Sequence, residues 1–295
     1  MNVPSRDDPI LLSDEQVRQY IVNGYIILKP SVPADIHQTV CRKLTACLNE
    51  GSNPGNNVLP KVPEMRHVLN SPEVQGALIS VLGEDYIEHP HRHCHYLSPT
   101  TTTKTDAKTR EDAVAANCHQ DAYTPLGRPR QHYSRYARIM YYPQNTPIAL
   151  GPTHVIPGTQ FNQGITDADR ARAIPVDGEA GTVSLTHFDV GHAAGLNTVN
   201  QPRHMVKFIY VRATEPVTPS WNCLNRQWQK PQDVQALHDL NLTWAHVWDW
   251  MCGKKDRYHS FREKNSLSAS EVSQLIEDLH EVREVDDYLQ IIHQI

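Results

Sequence analysis

A chain of 295 residues with 39% hydrophobic and 21% charged positions is long enough to bury a full core and polar enough to fold in water. Its formal net charge of −5 offers no general attraction to nucleic acid or to an anionic membrane surface. No apolar run reaches bilayer-spanning length, Met1–Pro9 is too polar for a secretory leader, and six cysteines without a CxxC pair suit a reduced chain, so a cytoplasmic protein is expected.

In chain order, Ser13 and Gln16 form a capping-box pattern ahead of Val17, Tyr20 and Ile21 at helical spacing, and Gly24 supplies a stop. Tyr25–Leu28 reads as a short strand. Ile36, Val40, Leu44 and Leu48 mark a second amphipathic helix from Ala34, and residues 50–57 read as loop. From Tyr86 to Arg212 the character changes to short β-prone runs with Pro, Gly, Asn and Thr between them. These are Ile87–Leu97, Tyr136–Tyr142, Thr153–Ile156, Thr182–Phe188 and Met205–Val211. Many short strands of this kind predict an antiparallel sandwich or barrel, not alternating β and α units. Beyond Trp221, a helix carries Trp244, Val247, Trp248 and Met251 on one face, and another opens at a Ser268–Glu271 capping box. The expected division is a β-domain with its N-terminal helices over 1–220 and a helical extension over 221–295.

Chemistry concentrates at Asn117-Cys-His-Gln-Asp121. In a strand, side chains two apart share a face, so His119 and Asp121 project together. One imidazole and one carboxylate are two thirds of a facial triad for iron(II), which needs one more histidine from elsewhere. His192, in Gly191-His-Ala-Ala-Gly-Leu-Asn197, is the candidate. An HxD tripeptide alone is a weak signal among 17 histidines, and His187-Phe-Asp189 is a second example.

These residues belong to three blocks: His119-Gln-Asp121; Gly151-Pro-Thr-His-Val-Ile-Pro-Gly-Thr159; and Gly181 through His192, followed by Gly195, Asn197 and Arg203. Together they resemble the phytanoyl-CoA dioxygenase family of iron(II)/2-oxoglutarate oxygenases. The resemblance implies a double-stranded β-helix (a cupin-like jelly roll) with N- and C-terminal helices. It implies Fe(II) on His119, Asp121 and His192, and 2-oxoglutarate and O2 as cosubstrates, with 2-oxoglutarate decarboxylated to succinate. It also assigns the far carboxylate of 2-oxoglutarate to Arg203, eleven residues after His192, and makes His187 a non-ligand. Halogenating relatives replace the carboxylate ligand, so Asp121 favours hydroxylation or a related oxidation. Two positions depart from the pattern: Ala194 stands where relatives often have Ser, and His91-Arg-His-Cys-His-Tyr96 replaces a strand in which a relative can place a lysine.

Around this frame, Thr153 is expected beside the cosubstrate, Tyr141 either there or in ordinary core packing, His93, His95 and Arg128 at the substrate pocket, and His187 either lining that pocket or structural. Arg128, Arg130, Arg135 and Arg138 follow the HxD block with no acidic residue nearby, as either a solvated loop or a subsite for an anionic group on a small-molecule substrate. Residues 100–113 are either a lid or a plain surface loop. The residues also fit a retired oxygenase fold that only binds, or a cupin-like enzyme with a different metal. No nucleic acid or membrane partner is expected, and the sequence does not give the substrate.

Overall fold

The computed structural model describes residues 8–51, 53–98, 109–121, 133–231 and 238–254. Helix α1 (Asp14–Asn23) opens on the full capping box: the Ser13 side chain accepts from the Gln16 amide, and the Gln16 side chain accepts from the Ser13 amide. Gly24, at φ 78°, ends the helix in the left-handed conformation that only glycine adopts without cost. Strand β1 (Tyr25–Leu28) and helix α2 (Ala34–Asn49) follow as the spacing predicts. Three short helices come next: α3 (Val58–Lys61), α4 (Met65–Leu69) and α5 (Pro72–Leu82). The sequence reading leaves these unassigned, although Ser71 as cap and Pro72 at the first helical position mark the start of α5.

The remaining elements are β2 (Ile87–Leu97), α6 (Arg110–Asn117), β3 (Tyr136–Tyr141), β4 (His154–Ile156), α7 (Asp167–Arg170), β5 (Ile174–Pro175), β6 (Val183–His187), β7 (Gly191–Ala193), β8 (Arg203–Val211) and α8 (His238–Met251). They make a large antiparallel sheet in the order β1-β6-β3-β8-β2 and a small one in the order β5-β4-β7. This is a double-stranded β-helix with flanking helices; among the described residues the two sheets do not close into a barrel.

Register sorts the large sheet into two faces. Ile139 lies opposite Leu185 and Phe208, and Tyr141 opposite Val183 and Val206. All are buried with Tyr20, Leu44, Leu78 and Trp248 in one apolar core beneath the helices. Burying side chains of this size contributes about 1.5–3 kcal/mol each, so this face holds the helices on. The alternate residues face the small sheet. There Met140 lies opposite Ser184 and Lys207, and Arg138 opposite Thr186 and Ile209. That inner face holds the site.

Helix α8 lays Trp244, Val247, Trp248 and Met251 into the same core, with Trp248 stacked edge-on to Trp221 at 5.1 Å. The helix expected at Ser268 lies outside the described residues. No helix among the described residues is long and apolar enough to cross a membrane.

Candidate metal centre

His119 does not lie on a strand, as its spacing suggested. Helix α6 ends just before it, and His119 makes a single antiparallel bridge with His192 of β7. The His119 amide donates to the His192 carbonyl at 3.0 Å, and the His192 amide donates to the His119 carbonyl at 2.9 Å. Extended geometry survives locally, so side chains still alternate. Gln120 turns the other way, and its Nε2 donates to the carbonyls of Thr159 at 2.8 Å and Asp189 at 3.0 Å. This one amide ties together the three blocks seen in the sequence.

The structure brings His119, Asp121 and His192 together, with one donor atom from each within 4.8 Å of the others. His119 Nε2 lies 3.7 Å from Asp121 Oδ1, and His192 Nε2 lies 3.9 Å from Asp121 Oδ2. Both rings are held through the opposite nitrogen: His119 Nδ1 to the Asn117 carbonyl at 2.7 Å, and His192 Nδ1 to the Val190 carbonyl at 3.1 Å. A carbonyl can only accept, so Nδ1 carries the proton and Nε2 turns its lone pair toward the carboxylate. This is the orientation a metal-ligating histidine needs. Burial first, and the adjacent Arg138 charge second, hold the His192 imidazole well below its ordinary range, leaving it neutral and able to donate its lone pair.

Arg138, the inward residue of β3, has a fully buried side chain. Its Nη1 pairs with Asp121 Oδ2 and lies 3.2 Å from His192 Nε2, while its Nε donates to Thr186 Oγ1 at 3.1 Å. Lys207, inward on β8, brings its Nζ to 3.8 Å from the same carboxylate oxygen. Burial alone would raise the Asp121 carboxyl, but the Arg138 and Lys207 charges outweigh it and hold it well below the usual carboxylate range. These neighbouring cations favour the ionised carboxylate.

Arg203 begins β8 and is 2% exposed. Its guanidinium donates to the carbonyls of Gly151 at 3.2 Å and His95 at 3.1 Å. Gly151 turns at φ 71°, and a Cβ there would fall 2.8 Å from the Asn197 amide nitrogen. Gly195 would place a Cβ 2.5 Å from the Pro152 carbonyl. These two glycines let the turn before β4 and the loop after β7 close against each other over Arg203. The Thr153 amide donates to the Tyr142 hydroxyl at 3.2 Å, so Thr153 and Tyr142 stand together on the inner side.

Two expectations are corrected. Tyr141 does not face the cosubstrate side: it points into the helix layer, where its hydroxyl meets His37 Nδ1 at 2.8 Å. Its neighbour Tyr142 takes the inward position because strand residues alternate. His187 shares the outward parity of Val183 and Leu185, lies 6.3 Å ring to ring from Tyr20 of α1, and so does not line the pocket. His93 and His95 lie opposite Lys207 and Met205, on the inner face, with their rings 4.9 Å apart. Arg128 and most of the 100–113 segment lie outside the described residues, although α6 occupies the end of that segment. Arg138, which the sequence reading grouped with Arg128, Arg130 and Arg135 as either a solvated face or an anion subsite, is at the heart of the centre.

A histidine–carboxylate–histidine set on a double-stranded β-helix defines the class: a mononuclear metal-dependent oxygenase fold. The profile of the phytanoyl-CoA dioxygenase (PhyH) family matches residues 22–205, more than half of the sequence, and the chain belongs to that family. Iron and 2-oxoglutarate are the cofactor and cosubstrate of this class. No curated protein sequence matches the chain. Among solved structures, it is similar to EctD from S. alaskensis with 2-oxoglutarate and 5-hydroxyectoine, at 16% identity over 74% of this chain and 82% of that one (TM-score 0.55). It is likewise similar to the non-heme alpha-ketoglutarate-dependent carbocyclase SnoK from nogalamycin biosynthesis, at 17% identity over 70% of this chain and 88% of that one (TM-score 0.52). At such identity these likenesses speak for the fold.

Proposed function

We propose that the protein oxidises a small organic molecule, with hydroxylation as the simplest outcome, using Fe(II) held by His119, Asp121 and His192 and 2-oxoglutarate anchored by Arg203. The observation that carries this reading is the meeting of two imidazoles, each fixed through Nδ1, with one carboxylate. Nitrogen and oxygen donors of this kind suit a first-row divalent ion and leave coordination positions for other ligands. When bound, iron and 2-oxoglutarate supply the oxidising chemistry: a substrate C–H, O2 and 2-oxoglutarate become C–OH, succinate and CO2.

The protein's own residues do the positioning. His192 Nε2 has a single lone pair, so metal binding requires Arg138 to give up its contact there. Asp121 has two oxygens, so one is available to metal while Arg138 retains the other. Arg203 presents a fixed, permanently charged fork suited to a carboxylate. Tyr142 and Thr153 supply polar groups near it, with Tyr142 in the place expected for Tyr141. The six cysteines, all free thiols, support a reducing, cytoplasmic setting.

The test is an anaerobic titration of metal-free protein with Fe(II) and 2-oxoglutarate, followed by the visible charge-transfer band of the metal–keto chelate. A band requiring both components, lost in His119→Ala and weakened in Arg203→Ala, is the expected result. Tight iron binding with no band would overturn the 2-oxoglutarate assignment.

A further inference from the structure

The inner face carries more positive charge than the cofactors use. Arg138, Lys207 and Arg203 all project there, with side chains of Arg138 and Lys207 only 0% and 12% exposed. Arg203 is accounted for by 2-oxoglutarate. Among the described residues the other two share one acidic partner, Asp121, which is also a metal donor. Asp121 can offset only one of Arg138 and Lys207, and a divalent metal would draw on the same carboxylate. An uncompensated buried charge is unfavourable, so a further anion beside this pair would be favoured.

The surroundings of Lys207 suit such a ligand. His93 lies directly opposite it in the β2–β8 register, and His95 follows on the same face. Burial lowers all the imidazoles along this strand, His91 to about 4 and His95 to about 3. They are neutral at pH 7 and add hydrogen-bonding nitrogens without more charge. Arg138 is already engaged by Asp121 and Thr186 and is fully buried. What faces a ligand is one ammonium framed by imidazoles, which matches a singly charged group better than a phosphate dianion.

We propose that Lys207, backed by Arg138 and framed by His93, binds a carboxylate of the substrate, so that the molecule oxidised is an organic acid held by its acid end next to the metal. This inference rests on the iron and 2-oxoglutarate reading above. It goes further by naming the substrate class and the residue that selects it.

The experiment loads the full chain anaerobically with Fe(II) and 2-oxoglutarate, and records the charge-transfer band. Phenylacetate, hexanoate and N-acetylglycine are then added, each beside its primary amide, together with phenyl phosphate. The expected result is a band shift produced by at least one acid and not by its amide. Lys207→Met should weaken that acid at least tenfold while still giving a charge-transfer band with Fe(II) and 2-oxoglutarate, and Lys207→Arg should recover most of the loss. The retained band shows that the variant is folded and loaded. Equal response to amides, tighter binding of phenyl phosphate, no response to any acid, or unchanged acid affinity in Lys207→Met would each overturn the proposal. No band before any acid is added refutes the cofactor reading instead, and this inference falls with it.

Discussion

Replacing Arg138 with methionine tests how the centre balances its charges. In the metal-free protein, Asp121 loses its closest counter-ion while remaining largely buried, its side chain 16% exposed. Removing one partner of a buried ion pair costs about 3–5 kcal/mol, and Lys207, 3.8 Å away, keeps the cost near the lower end, about 3 kcal/mol. In the metal-loaded protein, the divalent ion supplies the missing counter-charge. The loss is then confined to the Thr186 hydrogen bond and the guanidinium over the Phe188 ring at 5.9 Å, together about 1.5 kcal/mol. The difference of about 1.5 kcal/mol must appear as tighter metal binding, roughly tenfold. Urea unfolding with and without Mn(II), paired with Mn(II) titration, measures all four corners of this cycle. A variant as stable as the parent without metal, or one that binds Mn(II) more weakly, would refute the reasoning.

Two further outcomes are expected. Arg203→Met removes a charged fork and leaves the Gly151 and His95 carbonyls without their donor. By loss of a buried charge-assisted pair of about 2–5 kcal/mol, 2-oxoglutarate should bind at least about thirtyfold more weakly by calorimetry, and unchanged affinity would remove Arg203 from the cosubstrate site. Stability should also fall in mild acid. Burial lowers His89 and His95 to about 3 and His204 to about 4. The unfolded chain therefore takes up protons below about pH 6.5 that the folded chain refuses. Their contribution is full above that pH and lost toward pH 4, at up to about 1.4 kcal/mol per pH unit for each group. Urea midpoints that stay level from pH 7 to pH 5 would contradict this.

What the sequence made legible was whatever period and spacing encode. The Ser13 cap, the Gly24 stop and the limits of Ile87–Leu97 are local, and they appear in the structure as read. The convergence of His119, Asp121 and His192 followed from motif order, although the HxD segment forms one bridge and not a strand. The face of a fully buried strand was harder to read. Val183–His187 and Tyr136–Tyr141 are hidden on both sides, so hydrophobicity does not mark which alternate set points inward. For that reason the sequence leaves Tyr141 and His187 open between pocket and core, and the register places both on the core side. A usable signal existed: Arg138 and Lys207 are single charges inside otherwise apolar runs, and both point toward the metal donors. Counting parity from them places Met140 and Tyr142 inward and Tyr141 outward. Burial of Arg138 depends on elements distant in the chain, and its sequence neighbours Arg128, Arg130 and Arg135 pointed to a solvated loop instead.

The His119–His192 bridge has a consequence for how the centre can be watched. The two imidazole-bearing residues exchange both of their backbone hydrogen bonds, at 3.0 and 2.9 Å. An ion gripping both rings would therefore close a ring through the main chain, and those two amide protons escape to solvent only when the ring opens. Deuterium uptake at these two positions becomes a gauge of occupancy, slow when the centre is filled and faster when it is stripped, without a chromophore, a substrate or turnover.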